Sequence, residues 1–116
     1  MKDKKVQDFR RTEINRETSR IAWKELQRFF ASGATVLVKA DLDLVEVAFH
    51  ISEDNKDQVG QWLSDGKIAK VSDEQASAWY EADAEVWAVV VRPYVLIQEL
   101  KNTENMSPNN MADLKR

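Results

Sequence analysis

The spacing of apolar residues changes along the chain, and each change marks the boundary of an element. Between Thr12 and Ala31, the residues Ile14, Ile21, Ala22, Leu26, Phe29 and Phe30 return at helical spacing, with Trp23 beside them. This predicts one helix with an apolar face. Thr12 or Asn15 can cap its start by accepting an orphan backbone N–H, and Gly33 stands where a left-handed residue ends a helix. Ala34-Thr35-Val36-Leu37-Val38-Lys39 is short and mostly β-branched, which predicts a strand.

Two periods fit residues 43 to 51. As a strand, Val45, Val47, Phe49 and Ile51 alternate with Glu46, Ala48 and His50; as a helix, Leu44, Val47, Ala48 and Ile51 share a face and Asp43 caps it. The capping signal favours the helix, with the strand left open. Ser52-Glu53-Asp54-Asn55 is dense in cap formers, and Lys56 to Ser64 follows with Val59, Trp62 and Leu63 on one face and Gly66 as a stop. Two short helices about a tight corner are the layout of a helix-turn-helix. Lys67 to Val71 then alternates like a half-buried strand. Ser72 and Gln75 form a capping box for a helix from Asp73 to about Asp83. Val86 to Val91 is a nearly continuous apolar run, as in a strand buried on both faces. Pro93 has no N–H for a central ladder, so it predicts a bend or a passage to the sheet edge before Tyr94 to Gln98.

The chain has 116 residues and weighs 13.4 kDa, the size of one domain. The expected folded unit is residues 12–100, with 1–11 and 101–116 as flexible tails. Its expected class is α+β: about four helices and a small three- or four-stranded sheet, in the order α-β-α-α-β-α-β, with the helix-turn-helix-like corner in the middle. The polar start does not read as a signal peptide, and no window approaches the roughly 20 apolar residues of a membrane span. A cytoplasmic protein away from the membrane is therefore expected.

Charge adds an asymmetry. The net value is −3, yet residues 1–30 hold nine basic groups (Lys2, Lys4, Lys5, Arg10, Arg11, Arg16, Arg20, Lys24, Arg28) against five acidic ones (Asp3, Asp8, Glu13, Glu17, Glu25). Such a basic segment can attract an anionic partner. Opposite charges at helical spacing, as in Glu13 and Arg16, argue instead for a solvated face laced with ion pairs.

The absence of cysteine and the presence of one histidine, His50, remove thiol chemistry, disulfides and cysteine-ligated zinc. The three glycines are scattered, so no phosphate-cradling loop is present. Four tryptophans (Trp23, Trp62, Trp79, Trp87) are many for this length. Each falls on the apolar side of a separate element, which predicts a shared core with the indole N–H groups near its rim. No cofactor, metal site or catalytic residue is assigned.

Ile14-Asn15-Arg16-Glu17-Thr18 through Trp23-Lys24-Glu25-Leu26, then Leu42-Asp43-Leu44-Val45-Glu46-Val47-Ala48, Asp54-Asn55, Gln61-Trp62, Trp79 and Pro93-Tyr94-Val95-Leu96-Ile97-Gln98 together resemble a small bacterial protein family catalogued as a domain of unknown function. The resemblance spans about Ile14 to Gln98. It implies no activity, cofactor or site residue.

Three functional expectations follow. The first is a non-enzymatic cytoplasmic interaction or accessory domain, whose partner is another protein or a second copy. A homodimer would extend the valine-rich strand pair at a proline-marked edge, with Pro93, Tyr94 and Leu96 at the interface. The second is a degenerate winged-helix nucleic-acid binder reading bases through Asn55, Lys56, Gln58 and Gln61. Asp54, Asp57 and Asp65 oppose this, because phosphate contacts need clustered positive charge. The third and weakest is a carboxylate-dependent hydrolase built from Asp41, Asp43, Glu46, Glu53 and Asp54, of which Asp43 and Asp54 already stand where helix caps belong.

Overall fold

The computed structural model describes residues 4–100. The elements are α1 (Lys4–Glu17), β1 (Ser19–Ala22), a 3-10 turn (Trp23–Leu26), α2 (Gln27–Ala31), β2 (Thr35–Val38), α3 (Leu44–Ser52), α4 (Lys56–Ser64), β3 (Ile68–Lys70), α5 (Asp73–Ala82), β4 (Glu85–Val91) and β5 (Tyr94–Glu99). The five strands form one sheet in the order β1-β4-β5-β2-β3. All neighbours pair antiparallel except β2 and β5, which run parallel with Thr35 opposite Val95. The class is mixed α+β.

The sheet is covered on both faces, and strand alternation assigns each side chain to one of them. Leu96 of β5, Val89 of β4 and Val36 and Val38 of β2 point to one face, where Ile14 of α1 and Leu44, Val47, Ala48 and Phe49 of α3 meet them. Val95 and Ile97, Val86 and Ala88 point to the other face and pack on Trp23, Leu26, Ala76 and Trp79. Two cores therefore share one sheet. Burying each of these large side chains is worth about 1.5–3 kcal/mol, so the central pair β4–β5 contributes twice per strand length.

The long helix expected over Thr12–Ala31 is instead helix, edge strand, turn and short helix. The reason is topological: Ile14 belongs to one core and Trp23 to the other, and a straight helix cannot serve both faces of a sheet. The helix closes where Thr18 N–H bonds Asn15 O at 3.2 Å and Thr18 Oγ1 bonds Ile14 O at 2.8 Å. Residues 19–22 then pair with β4, Arg20 opposite Trp87. At the other end residues 4–11, expected as part of a flexible tail, are helical within α1; residues 1–3 and the expected tail 101–116 lie outside the described residues.

Over residues 44–52 the helical reading holds. Asp43 Oδ1 accepts Val45 N–H at 2.9 Å and Glu46 N–H at 3.4 Å, which are N-cap bonds. In the corner that follows, Asn55 is the cap, accepting Gln58 N–H at 3.3 Å, while Asp54 takes the left-handed conformation of the turn (φ 58°) and caps nothing. Ser72 caps α5 by accepting Gln75 N–H at 3.0 Å. Gly66 ends α4 at φ +74°, where a side chain would be strained.

The tryptophans divide two and two. Trp23 and Trp79 meet edge to face at 5.0 Å in one core, while Trp62 and Trp87 flank the other. Trp79 Nε1 donates to Glu99 Oε2 at 3.1 Å at the rim; Trp23 Nε1 is buried without an acceptor. The valine-rich pair β4–β5 is central, and the edges are β1 and β3. Edge-to-edge extension through β4–β5 is thus closed, because each strand already has a neighbour on both sides.

Gly60 lies inside α4, and a Cβ built there meets nothing within 4 Å. Gly60→Ala is expected to stabilise the protein by about 0.5–1 kcal/mol, since alanine loses less backbone entropy on entering a helix. A urea midpoint that falls or stays unchanged would contradict it.

Candidate functional site

The residues expected to read nucleic acid have structural occupations. Asn55 caps α4 with Oδ1, which turns its Nδ2 to His50 Nδ1 at 2.9 Å. Gln61 Nε2 bonds Asp65 Oδ1 at 3.0 Å, Lys56 stands 4.0 Å from Asp54, and Gln58 is half-buried. The corner lacks a wing: β3 and β4 do not pair, being separated in the sheet by β2 and β5. Of the expected interface residues, Pro93 is exposed in the β4–β5 turn and Tyr94 is 38% exposed, but Leu96 is fully buried in the central strand. Leu96 therefore reaches no surface.

The acidic residues are likewise dispersed. Arg11 grips Glu46 side-on through Nε (2.6 Å) and Nη2 (3.3 Å), and Arg10 stands 3.7 Å from Glu53. His50 is held through Nδ1. Because Nδ1 accepts from Asn55, its neutral form carries the proton on Nε2, 3.9 Å from Glu46 Oε1. Its ring packs edge to face on Phe49 and Trp62. Among the described residues no three Asp, Glu or His stand together as metal ligands.

Concavity lies elsewhere. At the carboxyl ends of the parallel pair β2 and β5, a crevice of about 460 Å³ opens between the last turn of α1 and the loop leading into α3. Asn15 comes from α1 and Thr18 from just after its end, Ala40 to Val45 from the loop and the start of α3, Trp87 from β4 and Gln98 from β5. Open α/β sheets place ligands outside the carboxyl ends of their strands, where loops diverge, and this volume is in the range of small-molecule sites.

The walls are fixed by polar bonds. Gln98 is only 9% exposed, and its Nε2 donates to Lys39 O at 2.9 Å and Leu42 O at 2.8 Å, strapping the loop to the strand. Lys67 hydrogen-bonds Asp41 across from the start of β3. Asp43 anchors the loop's far end through its cap. The residues come from four separate stretches of chain with no motif between them. The one local signal is the amide of Gln98 closing the apolar run Val95-Leu96-Ile97, since a polar group in a central strand must find partners.

A second concavity is an apolar groove between the α3–α4 corner and β3, lined by Ile51, Val59, Leu63 and Tyr94 along its whole length. Leu63, expected on the buried face of α4, is 56% exposed there. Among the described residues no helix is long and apolar enough to cross a membrane.

The fold and the crevice together define a small mixed α+β domain with a preformed concave site at the end of its parallel strands. Residues 10–99 match the model of the family described as "Protein of unknown function (DUF2288)", and the chain belongs to that family. It is similar to PA1075 from Pseudomonas aeruginosa, whose solution structure was determined by NMR: 44% identity, TM-score 0.70, over 83% of this chain and 86% of that one. No curated protein matches the chain.

The bond from Lys67 holds the Asp41 carboxyl below its ordinary value of 3.8, and the same bond raises Lys67 above 10.5. A lowered acid stabilises the fold above its ordinary range and ceases to do so as pH falls through its folded value. A raised base stabilises below 10.5 and ceases to as pH rises through its folded value. Lys67→Gln is therefore expected to lower the urea midpoint at pH 7, with a gap to the parent that closes below about pH 3.8 and above about pH 10.5. Because both side chains are largely exposed, at 39% and 57%, the gap should be small and should narrow in salt. A gap constant across pH would refute the pairing.

Proposed function

We propose that the protein is a non-enzymatic binding domain, acting as an interaction or accessory module, and that its ligand site is the crevice at the ends of β2 and β5. The observation that carries this reading is the strapping of the loop 39–43 by Gln98. A binding site gains affinity when its walls are ordered before the ligand arrives, and here a buried amide, an ion pair and a helix cap order them. The same bookkeeping of bonds speaks against catalysis by the other candidates. Glu46, His50 and Asn55 are held by structural partners, and a general acid or base needs a proton position facing a substrate. A chemically mixed panel of small molecules, followed by two-dimensional amide spectra, is expected to produce shifts clustered on Thr18, Asp41 to Val45, the Trp87 indole and the Gln98 carboxamide. Hits that cluster elsewhere, or none at millimolar concentration, would defeat the reading.

The apolar groove favours a second reading, self-association about a two-fold axis. An antiparallel pair of copies covers the exposed Leu63 and Tyr94, and no unanswered charge opposes it at the corner end, where Lys56 stands beside Asp54. The groove suits this better than the edge of β3, which is three residues long, preceded by Lys67 and ended by Lys70. Light scattering is expected to show a dimer at high concentration that Leu63→Asp returns to monomer. A monomer mass for the parent protein at those concentrations would rule it out.

A further inference from the structure

Of the polar side chains that line the crevice, Thr18, Asp41, Asp43 and Gln98 present acceptors and no free donor among the described residues, while Asn15 and the Trp87 indole keep their N–H groups. Thr18 uses its hydroxyl proton on Ile14 O. Gln98 uses both amide hydrogens on Lys39 O and Leu42 O, which fixes the carboxamide and leaves Oε1 accepting nothing from the protein, on a side chain nine-tenths buried. Asp43 takes both of its cap bonds on Oδ1, so Oδ2 is unused. The charge of Asp41 is answered by Lys67, whereas that of Asp43, among the described residues, is met by the positive end of α3. Among the described residues no basic side chain lines the crevice. The Trp87 ring beside them already attracts a cation from within the protein, with Arg20 Cζ 5.9 Å from its centroid.

We infer that the crevice takes an organic cation of the alkylammonium class, whose N–H groups bond Gln98 Oε1, Thr18 Oγ1 and Asp43 Oδ2 and whose carbon chain lies against Trp87. The inference rests on the crevice being a binding site and adds the chemistry of its ligand. The physical reason is satisfaction. Against Gln98 Oε1, Thr18 Oγ1 and Asp43 Oδ2 an anion or a pure acceptor would set lone pairs on lone pairs, and a neutral alcohol offers a single hydrogen, while an ammonium offers three donors and the opposite charge. The free amine and the lysine side chain of a partner share this chemistry.

The test is a spectral titration at constant ionic strength with n-butylammonium chloride, 1-butanol and sodium butyrate, read at the Trp87 indole N–H and the Gln98 carboxamide. Butylammonium is expected to titrate both resonances to saturation, with 1-butanol and butyrate at least about tenfold weaker, the factor that a charge-assisted bond supplies. Asp43→Asn retains a capping oxygen and removes the charge, so it should keep the fold and weaken butylammonium by about tenfold or more. A blocked Gly-Lys-Gly peptide that binds more tightly than butylammonium assigns the ammonium to a protein partner, and the reverse order assigns it to a free amine; both support the inference. Equal binding of butanol or butyrate, or an Asp43→Asn variant that titrates like the parent, overturns it while leaving the crevice a binding site. Silence at these resonances toward butylammonium and the mixed panel alike overturns both.

Discussion

The parallel pairing of β2 with β5 is the contact on which the rest of the molecule depends. It joins Thr35 to Val95 across the whole intervening chain, and a parallel partner can be reached only by such a crossover. Everything between is arranged by that demand. The crossover carries α3 and α4 over one face of the sheet and α5 over the other, and β3 and β4 return to flank the pair. Because β5 is thereby central and covered on both sides, Val95, Leu96 and Ile97 are all buried in successive positions, and the strand must be apolar throughout until its last turnable residue, Gln98.

Gln98 is where the parallel pair meets the polar world. β2 ends at Val38, and the chain must turn away toward α3 with carbonyls at Lys39 and Leu42 that no strand neighbour satisfies. The buried amide supplies both bonds and leaves its own oxygen open. The acceptor character of the crevice is thus a by-product of how the loop is held. A side chain that uses its donors on the scaffold can only accept from what lies in front of it, and Thr18 and Asp43 have reached the same condition through the last turn of α1 and the first of α3.

Local features were legible in the sequence and distant ones were not. Asp43 and Ser72 cap helices because an N-cap bond spans two or three residues, Asn55 takes the cap one residue after the expected Asp54, and Gly33 and Gly66 stop helices because positive φ is a single-residue property. The break at Thr18 was invisible for the opposite reason. The apolar spacing of Ile14, Ile21 and Leu26 satisfies a helix locally, and only the existence of two cores on opposite faces forces the chain to leave the helix axis. The same ignorance of faces placed all four tryptophans in one core and set Leu96 at an edge. The crevice was hidden because Asn15, Asp43, Trp87 and Gln98 become neighbours only through the β2–β5 crossover, and each alone has an ordinary reading as cap, core or strand residue.

The charge asymmetry between the first thirty residues and the remainder also changes meaning in three dimensions. A basic helix on an acidic body suggests a field directed at some anion, but Arg10 points at Glu53, the C-cap of α3, and Arg11 at Glu46 within it, and Arg11 Cζ lies 4.1 Å over the Phe49 ring. Those charges dock α1 onto α3 and close the core above Ile14 and Phe49, and Arg16 is answered by Glu13 on its own helix. Opposite charges that meet inside one molecule cancel beyond about 10 Å at moderate salt, so little of the basic character of α1 reaches solvent as a field. What survives is the smaller imbalance at the other end of the same helix pair, where Asp43 caps α3 beside Asn15 and Thr18 and, among the described residues, no arginine or lysine lines the crevice with it.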